Sequence, residues 1–302
     1  MRYTANGSKF FWYFWLPFLL CFYIAFLFLE HNYFYNNNSY EIAKKKAASL
    51  QSIDDLNGII LGGSNAFYGL SASSLSQLSG QQWFNLALIA EGYSDENYWD
   101  FVAKSLTNEQ RLNISHVIYS SATPVSGGIR ESSSLDLGGK QKLSFRPQYS
   151  LASYIKRLLI PPLLHPMPDN FGDFRFDSYD CDYVVAEGIL SFNYLTEVDL
   201  IWWITKQVNH IQSMFPNAKI LLQVPNALHA DGFNYAELDE VLAILSAVLQ
   251  KNQQDWKTLI YHSAQDPYPA VNLMCNDSWH ANKFGRDWRT TAISSISDFW
   301  GS

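Results

Sequence analysis

Two short stretches bring together residue types that do chemistry. The segment "IILGGSNAFYGL", residues 59 to 70, runs from an apolar strand-like sequence into Gly62-Gly63-Ser64. A serine hydroxyl becomes a nucleophile once a base takes its proton, and the oxyanion it generates needs hydrogen-bond donors. A strand-to-helix turn supplies backbone N–H groups, and glycines let a substrate approach closely. Near the other end of the chain, "NDSWHANKFG" holds Asp277 and His280 within one turn of each other. A carboxylate on one imidazole nitrogen fixes the tautomer and leaves the other nitrogen to face a hydroxyl. Each motif alone also suits a plainer role, a tight turn after a strand or a histidine in a surface loop. The pair carries more weight than either part, because Ser64 ends the first strand and Asp-x-x-His lies between the last strand and the last helix.

The elements that would position these residues read as an alternating series. Strands are expected at "GIILGG", "QWFNLAL", "HVIYSSA", "AKILLQVPN" and "WKTLIYH". Each is a continuous apolar run without polar alternation, the pattern of a parallel sheet covered on both faces. Between them, "SASSLSQLSG" suits a short serine-capped helix, and Ser94 or Asp95 is placed to cap a helix running to Leu106. Thr196 opens an amphipathic helix that Pro216-Asn217 stops, "YAELDEVLAILSAVLQKN" gives another, and "KFGRDWRTTAISSISDFW" closes the chain. The fold class expected is α/β, a three-layer doubly wound parallel sheet. In such sheets, sites form at the carboxyl ends of the strands. Ser64, Gly92, Ser120-Ser121 and the loop before His280 all fall at such ends. Residues 124–190 show no period and read as an insertion or lid.

This arrangement resembles the SGNH (GDSL-like) hydrolase superfamily, with its flavodoxin-like sheet. "ILGGSNAFYGL" looks like its first block, "FNLALIAEGYSDENY" its second and "DSWHANKFG" its last, and together they span most of residues 57 to 300 in order. The nearest branch is that of membrane-tethered cell-envelope proteins related to DltD and the alginate acetylation proteins. The resemblance implies Ser64 as nucleophile, His280 as general base and then acid, and Asp277 as its orienter. It also implies an oxyanion hole from the backbone N–H groups of Ser64 and Gly92. The chain departs from the pattern twice. Gly63 stands where the family has aspartate, and the third block, Gly-x-Asn-Asp, has no counterpart. The third oxyanion donor is therefore unassigned, with Ser121 or Thr123 as candidates and Asn226 behind them. The activity implied is acyl transfer through an acyl-serine, by a transferase or an esterase, on O-acyl groups, O-acetyl first, of a cell-envelope or secreted polysaccharide. A multi-span membrane acyltransferase partner is implied by the same analogy. The alternative is a non-catalytic SGNH-like binding or assembly subunit of a polysaccharide synthesis or export complex.

Bulk properties fit this frame. Of 302 residues, 48% are hydrophobic, enough for a sizeable core. A net charge of -7 argues against a general nucleic-acid binder. Residues 10 to 29, "FFWYFWLPFLLCFYIAFLFL", carry no charge and match the roughly 20 residues needed to cross a bilayer. The expected organisation is a membrane anchor over 1–30, a linker and helix over 31–56, and the α/β domain over 57–302. A cleaved signal peptide is the alternative to the anchor, although no small-x-small site follows the run. Arg2 and Lys9 before the span and Lys44, Lys45 and Lys46 after it leave the orientation open on charge alone. The resemblance places the domain on the periplasmic, extracytoplasmic side of the inner membrane. No cofactor or metal is expected, since the three cysteines (Cys21, Cys181 and Cys275) lack Cys-x-x-Cys or Cys/His ligand spacing. Cys181 and Cys275 stay open as a pair. Trp202 and Trp203 read as core rather than a sugar platform. Lys140, Lys142, Arg146, Lys156 and Arg157 read as a solvated loop rather than a groove for an acidic polysaccharide. His229 and Asp231 compete as a second His/carboxylate pair.

Overall fold

The computed structural model describes residues 15, 17–23, 39–88, 95–121, 167–175, 196–224, 235–251, 258–262 and 280–301. Five strands form one sheet: β1 (Leu56–Gly62), β2 (Gln82–Asn85), β3 (His116–Ser120), β4 (Lys219–Val224) and β5 (Thr258–His262). Their order is β2-β1-β3-β4-β5, and every neighbouring pair is parallel. The chain reverses direction of travel across the sheet after β2, so the switch point falls between β1 and β3, where doubly wound sheets bind ligands. The apolar runs are the reason for this burial. Ile59, Ile60, Leu61, Val117, Ile118, Ile220 and Leu221 are fully buried.

Helices cover both faces. The intervening elements are α1 (Ser39–Leu50), α2 (Ser64–Gly69), α3 (Ala72–Ser79), α4 (Asp95–Ser105), α5 (Asn108–Asn113), α6 (Glu197–Met214), α7 (Tyr235–Lys251), α8 (Lys283–Ser294) and α9 (Ser297–Trp300). Successive side chains of a strand point to opposite faces. On β3, Tyr119 meets Trp99 of α4 and Trp203 of α6. His116 faces the other way, stacked on Trp300 and edge-on to Phe299 of α9. Trp203 is thus core as expected, whereas Trp202 is 50% exposed, with Lys206 Nζ 4.9 Å from its ring centroid.

Caps follow the sequence where they were legible. Ser71 accepts from Ser74 N and opens α3, and Gly80 closes it at φ 70°. Thr196 accepts from Asp199 N at the start of α6. The closing helix is broken rather than continuous, because Ile296 is extended between α8 and α9, and this turns Phe299 into the core. The short helix expected within 31–56 is α1. Ile42, Ala43, Lys46 and Leu50 of α1 are all buried. Among the described residues no helix is long and apolar enough to cross a membrane. Residues 17–23 are helical with exposed aromatic and aliphatic side chains, and most of the 10–29 run lies outside the described residues.

His116 gives the fold a pH dependence. Burial, and then the nearby Lys219, push its imidazole below its ordinary value, against a backbone hydrogen bond at Phe299 that raises it. The folded state therefore releases the proton more readily than the unfolded chain, whose imidazole titrates near about 6.5. Stability is complete above that value and falls as the pH drops toward the folded pKa. Urea midpoints at pH 7.5 and pH 5 are expected to differ, and His116→Gln is expected to shrink the difference.

Candidate active site

Ser64 is the first residue of α2, directly after Gly63, and is half-buried. Gly63 has φ -92°, which any residue adopts, so glycine is not required there. Gly62 differs. Its φ is +130°, and a Cβ would lie 2.0 Å from Ser120 O of β3. The glycine that the turn needs is therefore the one that ends β1.

His280 lies just before α8, whose N-cap Asn282 accepts from Gly285 N. Its ring meets Tyr68 edge-on, with centroids 5.0 Å apart. Tyr68 stands four residues after Ser64 on α2, so the two project from the same helix face. The histidine is thus carried to the face that bears the serine. Ser64 Oγ and His280 form no hydrogen bond in this structure. In sites without substrate such contacts are often long and tighten only on binding. α8 is fixed against α2 and α3 by tight packing. Gly69 abuts the buried Arg289, where a Cβ would lie 2.3 Å from Nη1, and Ser71 N donates to Thr290 Oγ1 at 3.1 Å.

Ser121 follows β3 at the same sheet edge, half-buried, with its N–H on Gln223 O. Beneath it, Ser120 and Gln223 are register partners. Both are buried, and among the described residues neither Ser120 Oγ nor the Gln223 side-chain amide has a hydrogen-bond partner. Gly92, Thr123, Asn226, His229, Asp231, Asp277, Cys181, Cys275 and the basic residues of 140–157 lie outside the described residues. Cys21 is exposed and not in a disulfide. Among the described residues there is no cluster of metal-ligating side chains.

Three positions that brace the candidate site escaped the sequence reading. Asn85, at the end of β2, is fully buried. It donates to Ala66 O of α2 at 3.3 Å and to Leu70 O, just past that helix, at 3.1 Å, and accepts from Ala87 N at 3.1 Å. It pins the strand that leads toward Gly92 to the helix that carries Ser64. Asp173, in the region read as an insertion, is docked on the N-terminus of α3. It takes Ala72 N at 2.7 Å, Ser73 N at 2.9 Å and Ser71 Oγ at 2.9 Å. Asp169 holds that segment as a turn, accepting from Phe171 N and Asp173 N at 2.9 Å each. Burial, then the charge of Asp173, push the Asp169 carboxyl above its usual value. Phe174 packs on Tyr68 and Phe67, so residues 167–175 belong to the body of the fold. The Pro-Asp-Asn-Phe-Gly-Asp run was the available signal, because Asp, Asn and Gly in that spacing favour turns that bond their own backbone. Asp173→Ala removes the acceptor of one buried N–H group, one part-buried N–H group and a hydroxyl. It is expected to cost about 2–4 kcal/mol, and Asp173→Asn less, in urea unfolding.

No family model matches the chain, and no curated protein does. Solved structures similar to it include a family two carbohydrate esterase from Clostridium thermocellum in complex with cellohexaose. That match has 9% identity over 81% of this chain and 65% of that one, with a TM-score of 0.45. A carbohydrate esterase family 2 enzyme from Corynascus thermopiles aligns at 11% identity over 82% and 68%, TM-score 0.46. A family 3 carbohydrate esterase from Clostridium thermocellum aligns at 8% over 80% and 96%, TM-score 0.41. At these identities and scores the likeness assigns no activity.

Proposed function

We propose that the chain is an SGNH-type acyl-transfer enzyme with Ser64 as nucleophile and His280 as its base. The observation that carries this is the packing of His280 on Tyr68, one helical turn beyond Ser64 on the same face of α2. In the step proposed, His280 takes the Ser64 proton while Oγ bonds to the acyl carbon. The oxyanion is received by the N–H groups of Ser64 and Gly92, with Ser121 or Thr123 as third donor. The alcohol leaves with the proton from His280. Water or a second hydroxyl then attacks the acyl-serine, which distinguishes esterase from transferase. Asp277 orients His280. The substrate class, taken from the family resemblance, is an O-acyl group, O-acetyl first, on an envelope or secreted polysaccharide. The same analogy supplies the extracytoplasmic setting and a multi-span acyltransferase as donor of the acyl group, and the uncharged apolar run over 10–29 supplies the N-terminal anchor.

The missing Ser64–His280 hydrogen bond favours a second reading, a binding or assembly subunit that keeps the fold without the reaction. A fluorophosphonate serine probe on the full-length protein in detergent separates them. Covalent labelling at Ser64, mapped by mass spectrometry, supports the enzyme. A folded protein that takes no label supports the subunit.

A further inference from the structure

The outer edge of the sheet, beside the segment that leads to Gly92, is closed by a lysine. β2 is the edge strand, and its chain continues along β1 beyond Asn85. Leu86 N and Leu88 N turn inward to Ile60 O and Gly62 O, at 2.8 and 3.1 Å. The alternate residues, Asn85 and Ala87, turn their carbonyls outward, where a further strand would bind. Lys46 Nζ of α1 takes both, at 2.8 Å to Asn85 O and 2.6 Å to Ala87 O. The outward amide of Asn85 goes to Phe171 O at 2.8 Å. Lys46 is fully buried, and its Nζ lies 4.5 Å from the ring centroid of Phe67 on α2. Burial pushes its pKa down to about 7, against the opposing pull of Asp173 and then Asp169.

A wholly buried lysine is costly unless its charge and hydrogens are used. Covering an edge does not require one, since a loop or a helix would serve. What distinguishes this position is what it joins. One side of the ammonium is the strand end that continues to Gly92, and the other is Phe67, three residues past Ser64. We infer that Lys46 is a positioning residue for the oxyanion loop, fixing the point at which the chain leaves β2 for Gly92 relative to the helix that carries Ser64. This rests on the reading of Ser64 as nucleophile and Gly92 as oxyanion donor. Oxyanion donors act through their placement on the transition state. A displaced donor lowers turnover and leaves ground-state binding nearly unchanged.

The test uses the full-length protein in detergent, with p-nitrophenyl acetate as substrate and fluorophosphonate labelling as the second readout. Lys46→Met is expected to lower kcat about tenfold to a hundredfold with KM within about twofold, and to slow labelling in parallel. Lys46→Arg, which keeps charge and donors, is expected to recover at least part of the loss. Leu249→Ala, a core change in α7 remote from the site, supplies a loss of stability with kcat unchanged. If Lys46→Met does not fold, Lys46→Gln, which keeps a donor for one carbonyl, takes its place with the same expectations. The inference is overturned if the Lys46 variants keep wild-type kcat per folded molecule, or if Leu249→Ala loses as much. A wild type that neither turns over nor labels overturns the Ser64 reading, and this inference with it.

Discussion

Ser64→Ala is expected to abolish labelling and to lower turnover of an acyl ester by about 10⁴-fold or more, with His280→Ala close behind. The two effects are not expected to add. Nucleophile and base act as one unit, so the double variant should be no slower than the poorer single one. Asp277→Asn is expected to cost about 10³- to 10⁴-fold, through the tautomer and orientation of the imidazole. Stability separates these losses from unfolding. Among the described residues Ser64 Oγ has no hydrogen-bond partner, so Ser64→Ala should stay within about 0.5 kcal/mol of wild type. His280→Ala gives up the edge contact with Tyr68, worth about 1 kcal/mol. Initial rates and urea midpoints on the same preparations check both halves. Unchanged turnover in Ser64→Ala would remove the nucleophile, and with it the proposed mechanism.

The proposed pair, Ser64 and His280, could be picked out in the sequence because its signals are local. Gly62-Gly63-Ser64 follows an apolar run, and Asp-x-x-His precedes an amphipathic one, so strand order alone puts both at the carboxyl edge. The parallel sheet was legible for the same reason, each strand lying in an apolar run without polar alternation. What failed to show were residues whose role depends on distant partners. Lys46 reads as one of three lysines in a polar stretch, and only the tertiary fold reveals that it alone turns inward onto β2. Asn85 sits in an apolar run, with nothing local to say that its amide reaches α2. Asp173 lies a hundred residues from the helix it caps. The helix over 108–113 is a different kind of miss. Thr107 and Gln110 form a capping box, a sequence signature overlooked between two stronger elements.

Gly62→Ala is the other change expected to have a large effect, and its logic is steric. At φ +130° an L side chain is strained, at a cost of about 1–3 kcal/mol. The added Cβ would lie 2.0 Å from Ser120 O, and the neighbouring atoms are backbone, which cannot rotate away. Gly62 and Ser120 are register partners at the centre of the sheet, so relief requires β1 and β3 to part. Two further ties meet at the same residue, Gly62 N to Tyr98 Oη at 2.7 Å and Leu88 N to Gly62 O at 3.1 Å. Together these predict a loss of about 3 kcal/mol or more, a large share of the roughly 5–15 kcal/mol that holds a domain folded. Gly80→Ala is the matched comparison. Gly80 also has a positive φ, +70°, but a Cβ there meets nothing within 4 Å, so it should cost only about 1 kcal/mol. Equal urea midpoints for the two variants would show that the contact with Ser120 is not what demands glycine. If instead Gly62→Ala is far the weaker, any fraction that folds should also label slowly at Ser64, because the residue that sets the spacing of β1 and β3 also sets where the nucleophile's helix begins.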